Sequence, residues 1–183
     1  MPKDSRALTP EDWIDGGLNL LAAKGVDKVS IAPLARELGV TKGSFYWHFK
    51  DRQALLDAML RHWEEFGTRQ IIERIEATGV SPSERLKMVV ELAVEHIGSR
   101  LEPALRDWGR RDKAVWQAMR RVDNQRMEFL CRQFMTLCGN AAEAEARSWL
   151  FYSLLGGIHV LAATPVEIQR DRLLARCIEV LIR

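Results

Sequence analysis

The chain has 183 residues, 47% of them hydrophobic and 28% charged, and a formal net charge of +2. That balance belongs to an ordinary globular protein with a good-sized core, which sets aside a disordered chain and any binder that relies on bulk positive charge. No apolar run approaches a membrane span and the opening MPKDSRALTPED lacks a signal peptide's apolar core, so a cytoplasmic protein without a membrane partner is expected.

Strand alternation is absent, and helix punctuation is legible throughout. Thr9, Pro10, Glu11 and Asp12 are a cap, a proline at the first helical position and two acids at the positive helix end. The helix runs to about Lys24 and stops at Gly25, with Ile14, Leu18, Leu21 and Ala22 as its inward stripe and Trp13 at the edge. Gly16 and Gly17 weaken its middle, and close packing against later helices is the ordinary reason for such a pair. Ser30 caps the next helix and Pro33 falls where no intrahelical N–H is needed. Leu34, Ala35 and Leu38 form its apolar stripe, Gly39 ends it, and Val40 plugs the corner. Thr41 is the next N-cap, opening a helix over Lys42 to His48.

That short helix has an unusual composition. Phe45 and Phe49 supply the whole inward stripe, leaving Thr41, Lys42, Ser44, Tyr46, Trp47 and His48 to point outward or sideways. Hydroxyls, a cation, an imidazole and two polar-tipped aromatics on one small surface suit contact with phosphates and base edges. Gly43 costs about 1 kcal/mol of helix stability against Ala, which makes sense where something large must approach the backbone. Arg36, Lys42, Lys50 and Arg52 against Glu37 and Asp51 make a local basic patch. The plain alternative is a polar surface helix of an all-α protein. Spacing and exposed chemistry together favour a DNA-reading helix–turn–helix with Ser30, Thr41, Lys42, Gly43, Ser44, Tyr46, Trp47, His48, Lys50 and Arg52 as contacts.

The pattern Leu34-Ala35-x-x-Leu38-Gly39-Val40-Thr41-x-Gly43-x-Phe45-Tyr46-x-His48-Phe49, followed by Leu55 and Leu56, resembles the signature of the TetR family of transcriptional regulators. It covers the first third of the chain. One departure is Arg52, where that family usually carries Lys; the charge survives but a guanidinium would meet a phosphate with different geometry.

Asp51 caps a long helix to about Thr78, ended by Gly79, with Leu55, Leu56, Met59, Leu60, Trp63, Phe66, Ile71, Ile72 and Ile75 as its apolar content. Ser81 with Glu84 forms a capping box for a helix to about Arg100. A short helix follows from Pro103 to about Gly109, then a long one from about Asp112 to Leu137, closed by Gly139. Asn140 with Glu143, and Thr164 with Pro165 and Glu167, open the last two. The expected architecture is all-α with about nine helices: a helix–turn–helix headpiece over 1–50, a linking helix over 51–79 and a helical bundle over 80–183.

The helix from Asn140 to Ala163 is apolar on nearly all sides and so must be covered on more than one. With the last helix it suggests a dimer interface built on Trp149, Gly156, Gly157, Val160, Leu161, Leu174, Ile178 and Leu181, the alternative being the central helix of a monomer core. The family resemblance implies a homodimer on these two helices, an operator of palindromic half-sites in double-stranded DNA, and a small-molecule effector in the bundle. Trp108, Trp116, Met119, Asn124, Met127, Trp149, Tyr152 and His159 are the aromatic, Met and polar side chains suited to line such a site, though each is as readily plain core.

The four histidines lie on separate helices without metal-site spacing and no nucleophile stands in a strained elbow, so neither catalysis, a metal nor a cofactor is expected. Cys131 and Cys138 are seven residues apart on one helix, about 10 Å of rise and too far to bridge. With Cys177 they read as small core hydrophobes, with redox tuning the lesser reading. The leading reading is a ligand-responsive regulator, most simply a repressor. The alternative from another class is a helical ligand carrier or enzyme with no DNA role.

Overall fold

The computed structural model describes residues 8–95, 100–158 and 167–182, and every regular element among them is helical. These are α1 (Pro10–Lys24), a 3-10 turn (Val26–Lys28), α2 (Ile31–Glu37), α3 (Lys42–Tyr46), α4 (Arg52–Glu64), a π-helical turn (Glu65–Arg69), α5 (Gln70–Ala77), α6 (Pro82–Glu95), α7 (Leu101–Gly109), α8 (Lys113–Cys138), α9 (Ala141–Ile158) and α10 (Glu167–Ile182). Taking Arg52 to Ala77 as one helical run gives the nine helices expected. A π turn over Glu65–Arg69 interrupts that run, and within it the buried Thr68 hydroxyl makes no hydrogen bond.

Several boundaries follow from the local chemistry. Thr9 Oγ1 accepts from the Asp12 amide while the Asp12 carboxylate accepts from the Thr9 amide, so both halves of a capping box are made. Ser81 and Glu84 repeat it, with the Ser81 amide 3.1 Å and its hydroxyl 2.7 Å from Glu84 Oε2. Asp51 accepts from the Ala54 amide at 2.8 Å to start α4. Asn140 makes only its own half at α9, accepting from the Glu143 amide, while the Glu143 carboxylate pairs with Arg147. The expected hydroxyl caps at Ser30 and Thr41 are a correction: both residues sit at N-cap positions with extended backbone, but neither side chain makes the capping bond.

The chain divides into two compact units, Met1–Gly67 with Ser99–Arg120 and Thr68–Gly98 with Arg121–Arg183. The expected division at 50 and 79 is therefore corrected: α7, read from sequence as part of the C-terminal bundle, packs on α1 in the first unit. Leu105 and Trp108 of α7 are buried, as are Trp13, Leu21, Leu34, Phe45, Leu55 and Met59 of the same unit. Trp13, expected at an edge, is fully buried, and Leu20 takes the inward place assigned to the half-buried Leu18.

The glycine pair now has a cause. A Cβ on Gly16 would lie 3.1 Å from Leu34 Cδ1, and one on Gly17 would lie 2.6 Å from Met59 Sδ. These two glycines let α2 and α4 approach α1. Because the Met59 sulfur is held mid-chain in a full core, a Gly17→Ala protein should lose about 1–3 kcal/mol to overpacking, offset by about 1 kcal/mol of helix propensity. The check is urea denaturation: a lower midpoint at unchanged m-value is expected, and a raised midpoint overturns the packing account.

The second unit has its own core of Ile75, Leu86, Phe129, Leu130, Phe134, Ala144, Phe151 and Ile178. Phe134 and Phe151 meet edge-on at 5.8 Å and join α8 to α9. Arg147 Nη1 donates to the Leu181 carbonyl at 3.0 Å, placing a cation at the negative end of α10.

Candidate nucleic-acid interface

Leu34 and Ala35 on α2 face the core of the first unit, and α2 closes with Gly39 N–H to the Arg36 carbonyl at 3.2 Å and Val40 N–H to the Ala35 carbonyl at 2.9 Å. Gly39 has φ +72°, the left-handed conformation that turns the chain at once into α3. α3 is shorter than expected, Lys42–Tyr46, and a further backbone turn follows in which the His48 and Phe49 amides both donate to the Phe45 carbonyl.

Phe45 is the post on which this surface is mounted. It is 0% exposed, its ring edge-on to Trp13 at 5.3 Å and tilted against Phe49 at 5.5 Å. With that side chain fixed inward, helical spacing turns its neighbours out: Thr41, Lys42, Gly43 and Lys50 are exposed, Tyr46 is 61% and Trp47 88% exposed, and Ser44 and His48 are half-buried. A tryptophan this bare keeps most of its apolar surface in water, which its own fold does nothing to offset. A Cβ on Gly43 would meet only Thr41 Oγ1, at 3.6 Å, so nothing inside the protein demands glycine there. Gly43 is exposed, so the open space beside it faces solvent.

Arg52 requires a correction. Its Nε donates to the Val29 carbonyl at 2.5 Å and its Nη2 to the Val26 carbonyl at 2.7 Å, so the guanidinium is turned inward to hold the 3-10 turn instead of reaching for phosphate. The planar fork of donors suits two carbonyls at once, as an ammonium does not. Arg52→Lys should lose one of the two bonds and about 1–2 kcal/mol, read as a melting temperature lower by a few degrees. An unchanged melting temperature would show that the pair of bonds adds nothing.

A model of the tetR family of bacterial regulatory proteins matches residues 14–59, the stretch that holds α2, the turn and α3. The chain carries the N-terminal domain of the TetR family. Over 52 residues it is 42% identical to the class D tetracycline repressor protein of Escherichia coli, a match covering 28% of this chain and 24% of that protein. The alignment thus spans about a quarter of the length of such curated relatives. A longer likeness, 26% identity over 137 residues, covers 71% of this chain and 46% of the uncharacterized HTH-type transcriptional regulator YuxN of Bacillus subtilis. Among solved structures, a TetR-like transcriptional regulator from Rhodococcus matches with a TM-score of 0.68 at 15% identity, covering 98% of this chain and 96% of that one. The regulator FadR of Bacillus subtilis, crystallised with stearoyl-CoA, matches with a TM-score of 0.66 at 14% identity, over 95% and 98% of the two chains. At such identities the structures establish the fold.

Beyond the TetR domain the expected residues are scattered. Of the eight effector-site candidates, Trp108, Trp116 and Met119 belong to the first unit and Asn124, Met127, Trp149 and Tyr152 to the second. Trp108 and Met119 are buried core, Trp116 is half-exposed beneath Arg120, whose Cζ lies 4.9 Å from the ring, and Asn124 and Trp149 face solvent. Tyr152 is half-buried, donates to Asp123 Oδ1 at 2.6 Å and accepts from Arg126 Nη1 at 3.4 Å; burial raises its phenol above the usual range, against the pull of Arg126. His159 lies outside the described residues.

The interface list is also corrected. Leu174 is buried, Ile178 belongs to the second unit's core and Leu181 packs against that core, so the outer stripe of α10 is Leu173 and Val180, 65% and 58% exposed. On α9 the bare apolar residues are Trp149 and Leu150, and Cβ atoms on Gly156 and Gly157 would meet nothing within 4 Å. Val160 and Leu161 lie outside the described residues. The cysteines Cys131, Cys138 and Cys177 are free and half-buried. Among the described residues no helix is long and apolar enough to cross a membrane.

Proposed function

We propose that the protein is a ligand-responsive transcriptional regulator of the TetR type, most simply a cytoplasmic repressor, that binds palindromic operator DNA as a homodimer and acts by binding, not by catalysis. The observation that carries the reading is the surface around α3: Lys42, Tyr46 and Trp47 presented to solvent by a fully buried Phe45, inside a matched TetR domain. Lys42 and Lys50 would meet phosphates, Tyr46, Trp47 and His48 would meet base edges and sugar, Thr41 and Ser44 would donate to the backbone, and Gly43 would let the groove close on the helix. Ser30, half-buried at the start of α2, is kept as a phosphate contact; Arg52 is not.

Two half-sites about 34 Å apart need two such headpieces. The bare apolar residues Trp149, Leu150, Leu173 and Val180 of α9 and α10 are the surface proposed for the pairing. An effector would regulate by preferring the protomer geometry that DNA does not, since equal affinity for both shifts nothing.

A mobility shift with the DNA upstream of the protein's own gene tests this. Salt-sensitive binding is expected, with Tyr46→Ala and Lys42→Ala each lowering affinity roughly tenfold or more at unchanged melting temperature. Lys42→Ala should also reduce the salt slope by about one. Full affinity in both variants removes α3 from the interface.

A further inference from the structure

In the second unit, Arg85 on α6 has half of a recognition site and no partner for the other half. Its Nη1 donates to Gln133 Oε1 on α8 at 3.4 Å, and its Nε is fully buried without a hydrogen bond. Among the described residues no carboxylate lies within ion-pair distance of it, whereas the exposed arginines 69, 106, 111, 132 and 176 and the half-buried Arg147 each have one. Gln133 is buried too, and its amide is fixed by donating to the Phe129 carbonyl at 3.3 Å, so its oxygen is aimed at Arg85. Leu86, which follows Arg85 on α6, and Phe129, Leu130 and Phe134, which flank Gln133 along α8, are residues of the second unit's core.

A cation held against an apolar core with a donor unmet is costly unless something supplies the missing acceptor. With Nη1 taken by Gln133, the free edge is that of Nε and Nη2, two parallel N–H groups spaced to match a carboxylate. We propose that Arg85, positioned by Gln133, anchors the carboxylate of an organic acid whose apolar body lies along the α6–α8 core, and that this acid class is the effector of the regulator proposed above. Because Nε is covered in the present conformation, a carboxylate gains that donor only where the covering side chains have moved. Such a ligand therefore binds two states unequally, which is what regulation by a ligand requires.

Octanoate, with octanamide as its uncharged counterpart, is the probe, measured against the full-length protein by calorimetry and thermal shift. Octanoate is expected to bind and raise the melting temperature, octanamide to bind at least tenfold more weakly, and Arg85→Met to bring octanoate down to the level of the amide. Gln133→Glu supplies a carboxylate from within; it should keep the fold, raise the melting temperature and abolish octanoate binding. Equal binding of acid and amide, undiminished octanoate binding in Gln133→Glu, or no binding of octanoate at all overturns the site. The operator mobility shift separates the two readings: octanoate bound through Arg85 with DNA affinity unchanged overturns its role as effector, and the absence of any operator binding overturns the regulator instead.

Discussion

A Phe45→Ala protein should lose operator binding altogether and, with it, about 3–5 kcal/mol of stability in the N-terminal unit. Phe45 is completely buried, and its ring touches Trp13 at 5.3 Å, Phe49 at 5.5 Å and Tyr46 at 5.4 Å, so truncation removes three aromatic contacts and opens a hole that α3 is too short to span by itself. A helix of five residues has almost no stability of its own; its geometry is set by that one anchor. Denaturant unfolding and the mobility shift together make the check. Loss of affinity with loss of stability marks Phe45 as a scaffold residue, in contrast to Tyr46→Ala, where affinity falls and stability stays. A Phe45→Ala protein that still binds operator at full strength would mean that the helix is not held from Trp13, and the description of the surface would fail with it.

The second large effect concerns α9 and α10. Trp149→Glu combined with Val180→Glu places charges at two bare apolar positions, 59% and 58% exposed. In a monomer such exposed changes cost little, within about 0.5 kcal/mol each. In a dimer built there they are buried and unpaired. Light scattering should then report a monomer, and operator affinity should fall by about 10²–10⁴-fold as the linked half-sites are no longer engaged together. A dimer of unchanged mass would move the interface elsewhere. Leu174→Glu is the informative contrast: that side chain is buried in its own unit, so it should unfold the protein instead of splitting it.

What could be read from the residues was whatever depends on neighbours in sequence. Thr9 with Asp12, Ser81 with Glu84 and Asp51 before α4 are local chemistry, and each formed the bond that its spacing implied. The same holds for Phe45 and Phe49, inward at i, i+4, and for Gly39 turning the chain. The hydroxyl caps at Ser30 and Thr41 are local expectations that did not form; the other failures depend on a partner distant in sequence. Arg52 looked like a surface cation because nothing near it announces that the Val26 and Val29 carbonyls, 26 and 23 residues earlier, lie at its fork. Trp13 looked like an edge residue because its place is set by Phe45. On α10 an apolar residue falls at both Leu173 and Leu174, and periodicity alone gives no means of telling the core face from the outer one. The π turn is invisible for a related reason: a single added residue in a helix leaves composition untouched.

If α3 lies in a DNA groove as proposed, Gly43 sets two kinds of selection against each other. With only the Thr41 hydroxyl oxygen within reach of a new methyl group, alanine fits the free protein and firms α3 by about 1 kcal/mol. Variants chosen for thermal endurance should therefore drift toward larger residues at this position, while those chosen for occupancy of a promoter should return to glycine. On the proposed function, thermostability engineering at this position would trade operator affinity for endurance.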